Sequence, residues 1–319
     1  MANKYKKILF VLLAVFALLA AGCGAPKDAG GSGSAATSTS SAQAAKGNLT
    51  IQMLNVGQGD SILVKTAEQT VLIDTSDVDE RDKLRSELKK AGVKKIDKVI
   101  LTHPHADHIG GMDVLLDEGY NIGAIYDNGM PSTSKLYLGY MKKAKAKNIE
   151  HKGLKEGDVL DFGGGVKFEV LSPTASLVKK GQAKGYKHDP NNESVVGRLV
   201  FGQFTMLFTG DAEKETEAEI LKAHKGDVKS LVLKAPHHGS HTSSSPEYLK
   251  AVQPETCLIS CGAGNDYGHP HKETLDKYKK LNAKVFETDK NGTITIRTDG
   301  KTYDVKGEHS YDFGISRPL

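Results

Sequence analysis

Short apolar runs alternate with amphipathic segments along most of the chain, and glycine-containing turns separate many of them. In the first half, the pattern predicts strands over 49–56, 61–64, 70–73 and 98–101, and helices over 80–91, 113–117 and 135–147. The second half repeats the alternation, with strands over 166–171, 194–201, 205–208, 230–233, 256–260, 285–287 and 292–297, and helices over 214–223, 246–252 and 272–281. Strands grouped at the start of each half, with helices between them, predict an α+β fold of four layers, αββα.

The composition is that of a folded protein. Hydrophobic residues make up 38% and charged residues 26% of the 319 residues, which excludes a chain that is disordered throughout. The net charge of +4 is too small to indicate a nucleic-acid partner by itself, and the cations are mainly lysines, which attract anions diffusely. Three cysteines exclude a disulfide scaffold, and Cys257 and Cys261 are expected to be buried small side chains.

The N-terminal segment has the pattern of a secretion signal. Three lysines precede an apolar run over 8–21, which is too short for a membrane-spanning helix and matches a signal-peptide core. Residues 19–23 resemble the lipobox of bacterial lipoproteins, in which the cysteine is acylated, although Ala20 stands where that motif usually has leucine. We therefore expect 1–22 to be a lipoprotein signal peptide and Cys23 to be lipidated; a plain secretory signal is the alternative.

A tether rich in glycine, serine and alanine follows over 23–46. It has no large apolar side chain from 25 onwards, so it is expected to be flexible, with an end-to-end distance of roughly 25 Å. The folded domain is then predicted over 47–308, with a C-terminal tail over 309–319. This organisation predicts an extracytoplasmic protein that is anchored to the bacterial cell membrane through its lipid.

Eight of the twelve histidines fall into three short clusters: His103, His105 and His108; His237, His238 and His241; His269 and His271. The first cluster lies directly after a predicted strand and has the pattern H-x-H-x-D-H. Imidazole and carboxylate are the ligands that borderline divalent metals favour. In a tight loop, His103 and His105 can bind one ion, while Asp107 and His108 bind a neighbour. A merely solvated histidine loop is the alternative.

This run strongly resembles the metal-binding motif of the metallo-β-lactamase superfamily of hydrolases. More narrowly, residues 55–61 are similar to the opening signature of the hydrolase domain of ComEC-type competence proteins. Further matching motifs follow in the expected order at 72–75, 101–111, 191–196, 208–211, 236–240, 243–245 and 267–271. The resemblance implies a four-layered αββα metallo-β-lactamase sandwich, and it covers the hydrolase module but not the membrane channel of the ComEC-type proteins.

The resemblance also implies roles for single residues. Asp211 corresponds to the carboxylate that bridges two metal ions; a structural turn aspartate is the alternative. His237 is expected to complete the Asp107 and His108 side, with His238 in reserve.

Two further aspartates follow predicted strands and are expected next to the metal ligands. Asp60 and Asp74 would accept N–H bonds from ligating imidazoles and so set their tautomers, unless they serve only in turns.

The chain departs from the wider superfamily at one place. Where typical members have a third histidine for the His103 and His105 ion, residues 191–194 read Asn-Asn-Glu-Ser. That ion would then lack a third protein nitrogen. Asn191, with Ser194 beside it, is expected to contact substrate or a metal-bound water, or to be an ordinary loop amide.

Two divalent ions, zinc or manganese, around Asp211 would generate a bridging hydroxide and stabilise an in-line displacement, with Asp107 and Asp211 as catalytic residues. His269 is expected to protonate the leaving group, or else to have a structural or positioning role. Ser240 and the serines at 243–245 are expected to donate hydrogen bonds to a phosphate, or to cap the helix that follows.

Three functions fit these features. The first is a phosphodiesterase or nuclease that acts on DNA, which the ComEC-type motifs favour and lysines at 142–147 and 179–187 weakly support. The second is a small-molecule ester, lactone or amide hydrolase of the same fold. The third is a non-catalytic DNA-binding surface lipoprotein, which the intact candidate ligands disfavour. DNA and the membrane are the expected partners, and no protein partner can be inferred.

Overall fold

The structure is a computed structural model that describes residues 48–309 and 317–318. The predicted signal peptide, the tether and the lipidation site Cys23 lie outside these residues, as does most of the predicted C-terminal tail. Within the described part of the chain, no helix is long and apolar enough to cross a membrane.

The strands are short and form two sheets. In chain order they are β1 (Leu49–Met53), β2 (Ile62–Lys65), β3 (Thr70–Ile73), β4 (Lys95–Ile100), β5 (Asn121–Asp127), β6 (Glu150–Gly153), β7 (Val159–Asp161), β8 (Lys167–Ser172), β9 (Val196–Phe201), β10 (Phe204–Phe208), β11 (Val232–Lys234), β12 (Thr256–Ile259), β13 (Lys284–Glu287), β14 (Ile294–Thr298), β15 (Thr302–Gly307) and β16 (Arg317–Pro318). The first sheet has the order β16-β15-β14-β1-β2-β3-β4-β5-β6, and the second has the order β13-β12-β11-β10-β9-β8-β7.

Helices connect the strands and cover the sheets. They are α1 (Arg81–Lys90), α2 (Ala106–Ile109), α3 (Met112–Asp117), α4 (Lys135–Ala146), α5 (Ala175–Gly181), α6 (Lys214–Ala223), α7 (Pro246–Val252), α8 (Lys272–Lys280) and α9 (Thr288–Asn291). A single 3₁₀ turn, Val78–Glu80, leads into α1, and a second tight turn covers Pro236–Gly239.

Three separate clusters of buried apolar residues show that the fold has four layers. In β3, Val71 belongs to the cluster between the sheets, whereas its neighbour Leu72 packs with residues of α1, α3 and α4. In β10, Met206 faces the same central cluster, and Leu207 packs with residues of α6, α7 and α8. Because successive strand residues point to opposite faces, each sheet has one face on the other sheet and one on helices. The predicted αββα arrangement is therefore confirmed.

The pairing of the strands brings several loops to one edge of the sandwich. β3, β4 and β5 are parallel neighbours in the first sheet, and β10, β11, β12 and β13 are parallel neighbours in the second. The carboxyl ends of parallel strands lie at the same edge of a sheet, where binding sites of such folds form. The loops that follow these strands carry most of the predicted site residues, from Asp74 after β3 to His238 after β11.

Some elements differ from the prediction. The strand predicted over 194–201 begins only at Val196, because Val195 donates its backbone N–H to Thr102 in the histidine loop. Helices α2, α5 and α9 and strands β5, β6, β7, β15 and β16 are additional to those predicted. The predicted tail is not wholly outside the fold, since Arg317 and Pro318 pair with β15.

Candidate metal centre

Four side chains converge at this edge. Asp107, His108, Asp211 and His238 each offer one ligand atom, and these atoms all lie within 4.8 Å of one another. Nε2 of His108 is 3.2 Å from Oδ2 of Asp211. Nε2 of His238 is 3.2 Å from Oδ2 of Asp107 and 3.4 Å from Oδ2 of Asp211. The two imidazoles and Asp211 are buried, while Asp107 remains 25% exposed, so solvent reaches this set from one side.

The orientation of both imidazoles fits metal binding. Nδ1 of His108 lies 2.7 Å from the Asp74 carboxylate, and Nδ1 of His238 lies 2.9 Å from the carbonyl oxygen of Ser260. With the proton on Nδ1, the Nε2 lone pair of each ring faces the other carboxylates. Both Nε2 atoms are buried and have no hydrogen-bond partner of suitable geometry among the described residues. Since buried polar atoms almost always have a partner, this residue set fits a divalent metal ion.

A strained turn separates the two neighbouring histidines. His237 and His238 have φ angles of 49° and 52°, and Gly239 follows with φ 81°. Such left-handed conformations cost a non-glycine residue about 1–3 kcal/mol and are concentrated at functional sites. The turn sends the two rings to different partners, because Nδ1 of His237 lies 3.0 Å from Oε1 of Glu213. His238, which the sequence held in reserve behind His237, is the histidine that joins Asp107 in the converging set.

Asp211 lies between two groups of histidines. Its Oδ2 atom is 3.2 Å and 3.4 Å from Nε2 of His108 and His238, and 3.9 Å from Nε2 of both His103 and His237. Nε2 of His103 also lies 3.0 Å from Nδ1 of the His105 ring. Oδ2 of Asp211 therefore lies between the two groups of imidazoles, and both its bridging role and the number of ions stay predictions.

Lys234 is a buried cation that no sequence motif indicated. It is the last residue of β11, and its ammonium forms an ion pair with Asp60, donates to the carbonyl oxygen of Gly210 at 2.8 Å and lies 3.7 Å from Oδ1 of Asp211. Lysine is almost never fully buried without such partners. Asp60 therefore mainly binds Lys234, with Oδ1 3.5 Å from Nδ1 of His238. The signal that could have revealed Lys234 is a lysine at the end of an apolar strand.

The carboxylates outweigh burial in setting the pKa values of His108 and His238. Burial alone acts to lower the pKa of His108, but the charges of Asp211 and Asp74 outweigh it and raise that pKa well above its usual value. Burial also opposes charge on His238, yet Asp211 and Asp60 raise its pKa to about 10. Without an ion, both rings are protonated at neutral pH, and an ion has to displace those protons.

Comparison with known proteins identifies the family. Residues 54–263 match the sequence model of a family described as the metallo-beta-lactamase superfamily. The chain belongs to the metallo-β-lactamase superfamily. It is 34% identical over 268 residues to ComE operon protein 3 of Bacillus subtilis, covering 77% of this chain and 33% of that protein. It is 30% identical over 245 residues to the competence protein ComA of Neisseria gonorrhoeae, covering 76% and 31%. The chain thus spans about a third of the length of these curated relatives.

Solved structures agree with the assignment of the fold. The metallo-beta-lactamase fold protein YhfI from Bacillus subtilis superimposes with a TM-score of 0.52 at 12% identity, covering 79% of this chain and all of that one. A likeness at this level of identity shows the metallo-β-lactamase fold and nothing further about chemistry.

In this metallo-β-lactamase site, Ser194 links the two sheets behind Asp211. Its Oγ accepts the backbone N–H of Asp211 at 3.1 Å and lies 3.4 Å from Nδ1 of His103. Gly210 has φ 51°, and a Cβ there would lie 2.9 Å from Oγ of Ser194, so glycine is needed at the turn that presents Asp211. Ser194 thus braces the site rather than facing a substrate.

Asn191 is tied to the same region through Glu213. Its Nδ2 lies 3.5 Å from Oε1 of Glu213, while its Oδ1 is buried and lacks a hydrogen-bond partner in the described part of the chain. Since buried polar atoms almost always have a partner, this oxygen is a candidate acceptor for a ligand, and the role of Asn191 stays a prediction.

The serines of the next loop have internal partners. Ser243 donates its hydroxyl to the carbonyl oxygen of Ala212, and the backbone N–H groups of Ser244 and Ser245 donate to the Glu217 carboxylate. Oγ of Ser245 accepts the Tyr248 N–H and caps α7, as the alternative interpretation expected. These groups are therefore not available to a phosphate.

Ser240 is engaged in the same way. Its buried hydroxyl lies 3.0 Å from the hydroxyl of Thr242, and its carbonyl oxygen accepts the Thr274 hydroxyl. Ser240 therefore supports the turn that carries His237 and His238, and the expected bond to a phosphate has no support in these contacts.

His269 packs against the site histidines. Its ring is stacked on that of His238 at 6.1 Å and lies 5.5 Å from that of His237. Burial and the neighbouring imidazoles lower the pKa of His269 to about 4, so the ring is uncharged at neutral pH. An uncharged imidazole with this pKa is a poor proton donor, which favours positioning over the predicted role as acid. Tyr267, which is 66% exposed, stacks on His269 at 5.6 Å.

Metal binding at neutral pH should release protons. The carboxylates raise the pKa of His108 well above its usual value and the pKa of His238 to about 10, so both rings hold protons at neutral pH that an ion must displace, and metal affinity should rise with pH. We expect roughly two protons per first ion at pH 7 from calorimetric titration of metal-free protein in buffers of different ionisation enthalpy. Metal binding at pH 7 without proton release would contradict this electrostatic description.

Proposed function

We propose that the protein is a metal-dependent phosphodiesterase that cleaves DNA outside the cytoplasmic membrane. One observation carries the proposal: two buried Nε2 atoms, of His108 and His238, face the carboxylates of Asp107 and Asp211 without other partners in the described chain. The similarity to two competence-related proteins supports DNA as the substrate.

Four residues of the chain would hold the ion, and their neighbours fix the positions of these four. An ion held by Asp107, His108, Asp211 and His238 would act as a Lewis acid on a phosphoryl oxygen and would activate water. Asp74 keeps the His108 proton on Nδ1. Its carboxylate is fixed by Thr102, which donates its backbone N–H at 2.7 Å and its hydroxyl at 2.8 Å.

The side toward solvent is where substrate can approach. Asp107 and His237 are partly exposed there, with 25% and 22% of their side-chain surface accessible. The buried pair of Lys234 and Asp60 lies on the other side and keeps Asp211 in place.

Surface features give uneven support for a nucleic-acid substrate. Lys143 forms ion pairs with Asp113 and Asp117, and Lys180 pairs with Glu219, so the two predicted lysine clusters are less available than the sequence suggested. Tyr267 is the better feature, because an exposed ring stacked next to the site offers a platform for a base of single-stranded DNA.

We also propose that the protein is a lipoprotein anchored through Cys23. The basic start, the short apolar run and the small residues before this cysteine support that location. A tether of the composition found at 23–46 would leave the enzyme free to reach DNA near the membrane surface.

Asp107→Asn should abolish most DNA cleavage while preserving the fold. The amide keeps the volume of a partly exposed side chain but removes the charge that an ion requires, so we expect a loss of about 100-fold or more. The measurement is cleavage of single- and double-stranded DNA and of a phosphodiester reporter with added Mn²⁺ or Zn²⁺.

The matched control is Asp117→Asn, an exposed aspartate on α3, which should cleave at the wild-type rate. Near-wild-type turnover by Asp107→Asn would remove this residue from the mechanism. Hydrolysis of esters or lactones, with DNA left intact, would show the second predicted function instead.

Tyr267→Ala should weaken the binding of single-stranded DNA. Stacking on an aromatic ring contributes about 1–3 kcal/mol per base, so we expect KM to rise by roughly 10-fold with kcat little changed. Tyr267→Phe keeps the ring and should behave as wild type, and a reporter without a base should not distinguish the variants. An unchanged KM for Tyr267→Ala on DNA would show that no base stacks there.

Cys23→Ala should release or mislocalise the protein, because the acyl chains would have no attachment site. The measurement is membrane fractionation of cells that carry the variant, compared with Cys257→Ala, which alters a cysteine buried inside the domain. Membrane association and processing that match the wild type would contradict acylation at Cys23.

A further inference from the structure

Glu213 lies directly before α6 and gathers three side chains from separate loops. Its Oε1 atom is 3.0 Å from Nδ1 of His237, 3.0 Å from the donating hydroxyl of Thr242 and 3.5 Å from Nδ2 of Asn191. The backbone N–H of Glu213 in turn donates to Oδ1 of Asn192 at 3.2 Å. One carboxylate therefore fixes the positions of His237 and Asn191 relative to each other.

This contact determines which atoms of the two side chains stay available. Nδ1 of His237 is hydrogen-bonded to the Thr242 hydroxyl at 3.2 Å, and that hydroxyl donates to Glu213, whose Oε1 is also 3.0 Å from Nδ1. With its proton on Nδ1, His237 keeps the lone pair on Nε2, which lies 3.9 Å from Oδ2 of Asp211. Nε2 of His103 lies at the same distance from that oxygen. Asn191 gives its Nδ2 to Glu213, and its Oδ1 is the buried oxygen that lacks a partner in the described residues.

We propose that Glu213 is the positioning residue for the His103 side of the metal centre. It holds His237 as the third imidazole for an ion at His103 and His105, and it presents Oδ1 of Asn191 as an oxygen ligand. The adjacent histidines then serve different ions, His238 with Asp107 and His237 with His103. The inference rests on the metal dependence proposed above and not on DNA as the substrate.

The arrangement has a chemical rationale. A carboxylate that accepts the second N–H of a ligating imidazole fixes the ring and makes its other nitrogen a stronger ligand. The His238 ring is held in the same way by a carbonyl oxygen, which carries no full charge. His237, which comes from another loop, thereby takes the place of the third histidine that residues 191–194 lack.

The test is titration of the full-length, metal-free protein with Co²⁺ alone, followed by calorimetry and by the visible absorption of bound cobalt. We expect two binding steps for the wild type. His238→Ala should weaken the first step, and His237→Ala should weaken the second and alter the second cobalt spectrum. Glu213→Ala should weaken only the second step, by about 10–100-fold.

Two further variants control for misfolding and for the loss of a nearby negative charge. Glu213→Gln retains a hydrogen-bond acceptor for His237 without the charge, so its affinity for the second ion should lie between those of the wild type and Glu213→Ala. If thermal unfolding shows that Glu213→Ala does not fold, Glu213→Gln takes its place in the test. Glu215→Ala removes an exposed acid in the first turn of α6, two residues after Glu213, and should titrate as wild type.

Several results would overturn the inference. They are a single binding step in the wild type, an effect of Glu213→Ala on the first step, no effect of either Glu213 variant, and weakening of the same step by both histidine variants. No DNA is present in these titrations, so failure of the inference is distinguishable from failure of the proposed DNA cleavage.

Discussion

Four carboxylates, those of Asp60, Asp74, Asp107 and Asp211, lie at one end of the sandwich, and among the described residues the permanent cation that pairs with them is Lys234. Three of their negative charges have no fixed counterpart, and unpaired buried charge costs several kcal/mol per group. The site therefore requires further positive charge, either from protons on imidazoles or from divalent ions. The raised pKa values of His108 and His238 are one expression of this requirement.

Four of the nine described non-glycine residues with positive φ lie beside these carboxylates. Asp74, Ser76, His237 and His238 all have φ between 49° and 70°, and all lie in the loops around the carboxylates. Left-handed residues persist only where the surrounding structure determines them. Here the parallel strands deliver the loops to one edge, and the contacts among acids, imidazoles and Lys234 fix the last turn of each loop.

Sequence patterns predicted the parts of the molecule that depend on local order. The alternation of apolar residues gave the central strands, and the H-x-H-x-D-H spacing brought His103 and Asp107 into one short loop. Edge strand β6 reads Glu-His-Lys-Gly, so its conformation depends on pairing with β5 and not on its own pattern. Strand β5 does contain apolar residues, but its glycine and polar ends conceal the alternation.

The sequence predicted the candidate site less well where the direction of a side chain decides its partner. Two adjacent histidines are equivalent in the sequence, and only the left-handed turn at His237 and His238 decides which ring joins Asp107. Lys234 and Glu213 were missed because a lysine in a strand and a glutamate before a helix are common, and their partners lie far away in the sequence. Such long-range contacts leave no periodic signal.

The loops of the site belong to different sheets: Asp107 and His108 follow β4 of the first, and Asp211 and His238 follow strands of the second. A shared ion would therefore cross-link segments that are about a hundred residues apart, as a disulfide does in other proteins. The cysteines of the described domain are free and buried, so they supply no such bond. Resistance to unfolding would then follow the local metal supply, and scarcity of the ion would weaken the molecule together with its chemistry.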